Sequence, residues 1–219
     1  MKVSEAASAR LKDLTRKPVC KLCFQDIVPQ SLLTLFSSSP CLCDSCFQSL
    51  KTRLTFTKFH GYALGYLSPY VNPLARLLIQ YKQDKDVELA PVFLSYYAPL
   101  LSLLFHDYSL VPVPSSPSHL KKREFDHIRL IYSSLHLPYL ELLGTKEGEE
   151  QKKLNAEERK KTSSLFYIRN REDLSKKKIL LADDVLTSGT SLLSSLSLLN
   201  TLNPKKVVLF VIMNAKVKE

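Results

Sequence analysis

The chain has 219 residues, of which 45% are hydrophobic, and 31 Lys and Arg against 21 Asp and Glu give a net charge of +10. This length and apolar content allow one full α/β domain with a small appendage. The N-terminus lacks the charged, apolar and small regions of a signal peptide, and prolines interrupt the longest apolar run, 89–105, which argues against a membrane span of ~20 residues. We therefore expect a soluble, cytoplasmic protein.

The positive charge suits a polyanionic partner, either nucleic acid or acidic lipid. A solvated lysine-rich surface explains the same excess equally well, so the charge selects no partner by itself.

Two cysteine pairs follow a leader, residues 1–17, that is either flexible or helical. Cys20 and Cys23 are separated by nineteen residues from Cys43 and Cys46. Two such C-x2-C turns supply four thiolates for one structural Zn²⁺, and so short a segment needs a metal to fold. A disulfide pair or a redox pair are the alternatives, and Cys41 could replace Cys43 or Cys46. We assign 18–55 to this zinc module and 56–219 to the main domain.

Strands and helices alternate through the main domain. We expect two short strands around Gly61, a helix from Pro73 to about Tyr81, and a second apolar helical stretch that ends near Phe105. Further elements are a strand at 110–114, a helix at 118–135, a strand at 139–143, a charged loop or exposed helix at 145–161, and short or buried strands at 166–168, 179–182 and 207–213. Continuous apolar strands between helices predict an α/β fold with a mostly parallel sheet covered on both faces.

The stretch 179–191, ILLADDVLTSGTS, is the strongest functional signal. A buried strand ends at two carboxylates, and a loop of hydroxyls and glycine leads into a helix with a leucine stripe. Loop amides and the positive end of a helix make an anion site, and Gly189 allows close approach by a phosphate. Carboxylates beside it make sense if they hold sugar hydroxyls or an Mg²⁺ on the ligand. The alternative is an Asp-rich turn with a plain helix cap.

This stretch resembles the phosphoribosyl pyrophosphate (PRPP) signature of type I phosphoribosyltransferases. The resemblance implies that Asp183 and Asp184 act at the ribose hydroxyls, as the catalytic pair, with Mg²⁺ bound to PRPP. It also implies a loop around the 5′-phosphate, formed by Thr187, Ser188, Gly189, Thr190 and Ser191. Ala182 and Ser188 stand where the family usually has Val and Thr.

More of the chain, about 18–213, resembles the ComF/ComFC family of competence proteins. The matching stretches are the cysteine pairs, Gln80–Asp84, the PVP strand at 111–114, Arg123–His127, and Gln151 with Arg159. The resemblance implies that pyrophosphate is met by Ser115, Ser116, Arg123 and Lys82, under a lid at 145–161. The Arg123–His127 segment departs from the family pattern at three positions: Glu124, Asp126 and His127. For Arg123 and Lys82, a role as surface cations is an equal alternative.

The resemblance implies a role in natural transformation, with contacts to single-stranded DNA and other transformation proteins. A working phosphoribosyltransferase of nucleotide metabolism with an unidentified acceptor is the alternative, and the sequence leaves catalysis open. Peripheral contact with the inner face of a membrane is also left open. DNA binding would use lysine clusters at 121–123, 152–153, 160–161 and 176–178. Tyr62, Tyr66 and Tyr70 could stack bases, but a core role is the favoured interpretation.

Overall fold

The computed structural model describes residues 18–28, 40–70, 73–115, 117–145 and 166–217. The expectations for the leader 1–17, for Ser116, for Gln151 and Arg159, and for all but the first residue of the lid 145–161 lie outside these ranges.

Seven strands and seven α-helices form the described part of the chain. The strands are β1 (Thr55–Phe59), β2 (Tyr62–Pro69), β3 (Tyr108–Pro112), β4 (Leu143–Thr145), β5 (Phe166–Ile168), β6 (Lys178–Leu186) and β7 (Lys206–Asn214). The helices are α1 (Asp44–Ser49), α2 (Leu74–Gln83), α3 (Ala90–Leu94), α4 (Ala98–Leu104), α5 (Pro117–Arg123), α6 (His127–Tyr132) and α7 (Thr190–Asn200).

Five of the strands build the main sheet, in the order β1-β2-β7-β6-β3. Only the β1–β2 pair is antiparallel, because these strands are joined by a tight turn at His60 and Gly61, both with positive φ. The remaining pairs are parallel. The expected α/β fold with a mostly parallel sheet is therefore confirmed, and so is the hairpin around Gly61. The strands β4 and β5 form a separate two-stranded sheet.

Alternating side chains of the central strands enter two separate cores. On β6, Leu180 and Ala182 belong to the core covered by α2, α3 and α6, while Ile179 and Leu181 belong to the core under α7. Successive strand residues point to opposite faces, so apolar residues at every position bury both faces of the sheet. This arrangement holds the carboxyl ends of β6 and β7 in one fixed position beside the start of α7.

The prediction of one continuous helix over 118–135 is wrong, because this stretch forms two helices, α5 and α6. The chain leaves α5 after Arg123, Glu124 takes a positive φ of 70°, and Asp126 then caps α6 by accepting a hydrogen bond from the backbone N–H of Arg129 at 3.0 Å. A carboxylate at an N-cap favours a new helix start over a continuous helix. The strand expected at 139–143 is also displaced: Tyr139 makes a single bridge to Leu110, and β4 begins at Leu143.

The apolar stretch 89–105 forms two short helices, α3 and α4. Within the described ranges, no single helix has the length and apolar character to cross a membrane. One bent helix pair, Val87–Leu94 with Ala98–Leu104, is long and apolar enough by length and composition alone.

The cysteine segment packs directly on the main domain. Phe47 of α1 stacks on the ring of Tyr96, and the backbone N–H of Arg53 donates to the carbonyl of Leu67 in β2 at 2.6 Å. Ile27, Leu42 and Leu50 are buried in the same core as the helices beside them. The boundary at 55/56 stays a prediction.

Candidate phosphate and sugar site

The stretch 179–191 forms a strand, a short loop and a helix in the expected order. β6 runs to Leu186, the loop occupies Thr187–Gly189, and α7 begins at Thr190. Gly189 is the N-cap residue of α7 and has a φ of 87°, a conformation that glycine adopts without strain. The backbone can therefore turn sharply and aim the first N–H groups of α7 at one point.

A pocket opens at this turn, with an empty volume of about 260 Å³ that includes open solvent. Its walls come from the end of β6, the loop and the first turn of α7, with Val211 of β7 below, and they include Asp183, Thr187, Ser188, Gly189, Thr190 and Ser191. The hydroxyls of Ser188 and Thr190 lie 3.0 Å apart, and the N–H of Thr190 donates to Ser188 Oγ at 3.3 Å. Hydroxyls, amides and a helix N-terminus around one space form a cradle suited to a phosphate.

The two adjacent acids differ in their surroundings, because both lie within β6 and point to opposite faces. Asp183 is half-buried and lines the cradle. Asp184 is only 7% exposed and faces α2 and α6. The hydroxyl of Tyr132 donates to the carbonyl oxygens of Asp183 on β6 and Phe210 on β7, at 2.9 and 3.1 Å, and so ties these two strands together beside the acids.

Asp184 is the centre of a cluster of charged and polar side chains. Its Oδ2 forms an ion pair with Lys82 and lies 2.6 Å from Nε2 of His127. Arg123 Nη1 lies 3.1 Å from Nδ1 of His127, and since arginine can only donate, Nδ1 accepts and the proton sits on Nε2, directed at Asp184. Tyr81 donates its hydroxyl to the carbonyl of His127 at 2.9 Å. The structure thus brings together the expected residues Lys82, Arg123 and Asp184.

The pKa values of these groups diverge as their surroundings do. Burial, reinforced by the neighbouring charge of Asp184, raises the pKa of Asp183 to about 8. Burial would also raise the pKa of Asp184, but the hydrogen bond from His127 and the ammonium of Lys82 outweigh it and hold that pKa well below its usual range. Burial lowers the pKa of His127 despite the adjacent carboxylate. Asp184 is thus the charged acid and His127 a neutral imidazole near pH 7.

Ser115 lies at the carboxyl end of β3, next to β6, but it lines a different pocket. That pocket has an empty volume of about 760 Å³ and is walled by the β4–β5 sheet and Tyr139. The hydroxyl of Thr145 donates to the Ser115 carbonyl at 3.4 Å. Ser115 is therefore on the expected edge of the sheet, and it is not among the residues that line the cradle.

The four cysteines expected to bind metal converge at one point. The sulfurs of Cys20, Cys23, Cys43 and Cys46 all lie within 4.8 Å of one another, and those of Cys23 and Cys43 are 3.7 Å apart. Four thiolates around a tetrahedral zinc are separated by about 3.8 Å, so the cluster could hold such an ion. Cys41 is not part of it: its buried thiol lies 2.8 Å from the hydroxyl of Ser95.

Three residues near the cradle or the Asp184 cluster, His127, Phe59 and Lys216, carried no signal of a role in the sequence. His127 looked only like a departure from a family pattern. Phe59 and Lys216 approach the cradle from the hairpin and from the end of β7, with Lys216 Nζ 4.9 Å from the centre of the Phe59 ring. Contacts between such distant positions leave no local signal in one sequence.

The tyrosines and lysines considered for DNA are dispersed. Tyr66 is buried, as the favoured interpretation holds, Tyr62 is half-buried and accepts a hydrogen bond from Asn200, and Tyr70 is 44% exposed. Lys121 and Lys122 are exposed on α5, whereas Lys177 and Lys178 form ion pairs with Glu172 and Asp107. The clusters at 152–153 and 160–161 lie outside the described residues.

Comparison with known proteins adds a family context to this geometry. Residues 140–219 match the family described as the phosphoribosyl transferase domain. The chain is also similar to competence protein ComFC of Streptococcus pneumoniae, with 28% identity over 217 residues that cover 87% of this chain and 97% of that protein.

Solved phosphoribosyltransferases show a weak likeness. A hypoxanthine phosphoribosyltransferase from Staphylococcus aureus is 15% identical, with 58% of this chain and 64% of that chain covered and a TM-score of 0.34. An adenine phosphoribosyltransferase from Leishmania tarentolae is 12% identical, with 75% and 97% covered and a TM-score of 0.38. The family match and the pneumococcal relative, together with the four-cysteine cluster, confirm that this chain resembles the ComF/ComFC family, in which a cysteine module precedes a phosphoribosyltransferase-like domain.

Proposed function

We propose that the protein binds PRPP with Mg²⁺ at the cradle, as a competence factor that handles transforming DNA. The observation that carries the proposal is the position of Asp183, whose side chain lines the same pocket as the hydroxyls and amides of 187–191. A sugar phosphate needs both features at this spacing, since hydroxyls are held by carboxylates and a phosphate by amides.

Each part of PRPP has proposed partners. The 5′-phosphate lies in the cradle, and the ribose hydroxyls face Asp183 and Asp184. The pyrophosphate lies toward Lys82, Arg123, Ser115 and Ser116. Lys82 and Arg123 are occupied by Asp184 and His127, so a pyrophosphate would draw these cations away from partners they already have. Mg²⁺, when bound, would neutralise phosphate charge, as it does in sites with carboxylates and phosphates.

The cysteine cluster is proposed to hold a structural Zn²⁺. Four sulfur ligands leave no open position for a substrate, which is the arrangement of structural rather than catalytic zinc sites. Its contacts with the main-domain core give the metal a role in folding.

The role in transformation is supported by the similarity to the pneumococcal competence protein ComFC and by the net charge of +10. We propose contact with single-stranded DNA through exposed lysines such as Lys121 and Lys122. Other transformation proteins are proposed as further partners, in the cytoplasm or at the inner face of the membrane.

A second candidate function is phosphoribosyl transfer in nucleotide metabolism, favoured by the match of 140–219 to the phosphoribosyl transferase domain. In that reaction a nitrogen of the acceptor bonds to C1′ of the ribose while the bond from C1′ to pyrophosphate breaks. The protein would position both reactants and stabilise the departing pyrophosphate.

Calorimetric titration with PRPP and Mg²⁺ tests the site. We expect saturable binding by the wild type and its loss in the double variant Asp183→Asn with Asp184→Asn. A matched control changes two acids before β6, Glu172→Gln with Asp173→Asn, and should bind like the wild type. Unchanged affinity in the first double variant would contradict the site.

A second experiment separates the two functions. Pyrophosphate release is followed with PRPP, Mg²⁺ and a panel of nucleobases, beside a titration with single-stranded DNA at several salt concentrations. DNA affinity that falls with salt, without turnover, favours the competence factor. Turnover without DNA affinity favours the enzyme.

A further inference from the structure

The cradle residues themselves supply no positive side chain. Positions 187–191 carry only hydroxyls and a glycine, and Lys82 lies on the opposite face of β6, paired with Asp184. A 5′-phosphate carries up to two negative charges, and amides with a helix dipole offset only part of that charge. A cation next to the cradle would offset the remaining charge of a bound phosphate.

Among the residues that the structure describes, Lys216 is a cation that follows a strand end bonded to this loop. β7 ends at Asn214, and the next residue, Ala215, donates its N–H to the carbonyl of Leu186 at 2.8 Å, one residue before the cradle loop begins. The N–H of Lys216 donates to Oδ1 of Asn214 at 3.1 Å. These two hydrogen bonds, one to a backbone carbonyl and one to a side-chain oxygen, fix the start of the Lys216 side chain beside the loop.

The ammonium group of Lys216 lies over the ring of Phe59, and the same ring lies against Gly189 of the cradle. Lys216 Nζ lies 4.9 Å from the centre of the Phe59 ring, and the edge of the same ring is so close to Gly189 that a Cβ on the glycine would lie 2.5 Å from Phe59 Cζ. The lysine and the cradle glycine therefore contact one phenyl ring. A cation on an aromatic face keeps an ordered position while it stays available to an anion.

No carboxylate competes for this lysine among the residues that the structure describes, since none forms an ion pair with it. The side chain is exposed, so it can turn from the ring toward a phosphate at little cost. By contrast, Lys82, Lys177 and Lys178 each have an acidic partner.

We infer that Lys216 is a phosphate-binding residue of the cradle, which moves from the Phe59 ring to the 5′-phosphate of a bound ribose phosphate. This inference rests on the proposed function. It adds a specific recognition element: the site distinguishes ribose phosphates from pyrophosphate through a cation at the 5′ end.

The experiment measures the affinities of ribose 5-phosphate, PRPP with Mg²⁺, and pyrophosphate by calorimetry. Lys216→Met keeps a flexible apolar chain on the ring and removes the charge. This variant should lower the affinities for ribose 5-phosphate and PRPP about tenfold, which is the order of one charge-assisted hydrogen bond. The affinity for pyrophosphate should stay unchanged. Lys216→Arg should restore most of the affinity.

The matched control is Lys206→Met, at the opposite end of the same strand, and it should bind all three ligands like the wild type. If Lys216→Met binds ribose 5-phosphate as tightly as the wild type, or loses pyrophosphate equally, the role of Lys216 is overturned while the PRPP site stands. If the wild type binds neither ribose phosphate, the proposed function itself fails, and the role of Lys216 with it. Thermal melting of each variant shows whether the fold is retained.

Discussion

His127 and Asp184 meet in the interior between the sheet and α6, with Nε2 of the histidine 2.6 Å from Oδ2 of the acid. Lys82 contacts the same carboxylate oxygen from α2. A carboxylate that is only 7% exposed is tolerated here because a hydrogen bond and an ammonium both compensate it. Asp184 therefore has a structural task that its neighbour Asp183 does not share.

The two acids should respond differently to loss of charge. We expect Asp184→Asn to lower the free energy of unfolding by about 3 kcal/mol, because it leaves the mostly buried ammonium of Lys82 without its partner. We expect Asp183→Asn to change it by less than about 1 kcal/mol, because burial raises the pKa of Asp183 and an amide resembles its neutral form. Urea unfolding measures both, and equal losses would contradict the difference.

His127 should make stability depend on pH. Burial lowers its pKa in the folded protein below the ordinary value of about 6.5, so the unfolded chain takes up the proton first as pH falls. Its contribution to stability is present above about pH 6.5 and is lost as pH falls below that value. The melting temperature of the wild type minus that of His127→Gln, measured between pH 7.5 and 5.5, should therefore decrease as pH falls.

The variant comparison isolates His127 from the two acids. The lowered pKa of Asp184 acts in the same direction but below about pH 4, where an unfolded aspartate titrates. The raised pKa of Asp183 acts in the opposite direction, because its contribution is lost as pH rises toward 8. A slope that is identical in the wild type and in His127→Gln would rule out the histidine as its source.

Gly189→Ala should disable the cradle. The residue has a φ of 87°, and an added Cβ would collide with the Phe59 ring. The backbone strain costs about 1 kcal/mol, and the collision must be relieved by moving the loop or the ring. We expect PRPP affinity to fall more than tenfold in calorimetry.

Gly61→Ala is the matched control for that substitution. Its φ of 85° is nearly the same, but nothing lies within 4 Å of its Cβ position. It should lose a similar amount of stability from strain and keep its affinity for PRPP. Equal losses of affinity in both variants would mean that general destabilisation, and not the cradle, is being measured.

Zinc binding should depend on Cys46 and not on Cys41. We expect one zinc per chain in the wild type, loss of zinc and a lower melting temperature in Cys46→Ser, and retained zinc in Cys41→Ser, whose thiol faces Ser95. Metal analysis of the purified proteins measures this. Zinc lost from Cys41→Ser but kept by Cys46→Ser would reverse the assignment.

Local patterns in the sequence were sufficient for the hairpin at Gly61, the parallel sheet and the strand–loop–helix order of the cradle. They failed where a boundary was misjudged. The strand was expected to end at Ala182, whereas β6 continues to Leu186, so alternation sends the side chains of Asp183 and Asp184 to opposite faces. The assignment of both acids to the ribose hydroxyls stays a prediction.

The contacts around the site could not be read from the sequence because they join distant positions. The helix breaks after Arg123, where Glu124 has a positive φ, and the Arg123 side chain lies beside His127. Phe59, Gly189 and Lys216 come from three separate elements that meet only in the folded sheet.

The packing of the cysteine segment has a practical consequence for anyone who shortens this chain. Removing residues before β1 would delete Phe47, Leu42 and Leu50 and uncover the part of the core that they cover, next to Tyr96 and Tyr97. A fragment starting at residue 56 should therefore aggregate, however well the phosphate cradle is preserved. A chelator that removes a bound zinc would loosen the same cysteine segment and expose the same part of the core.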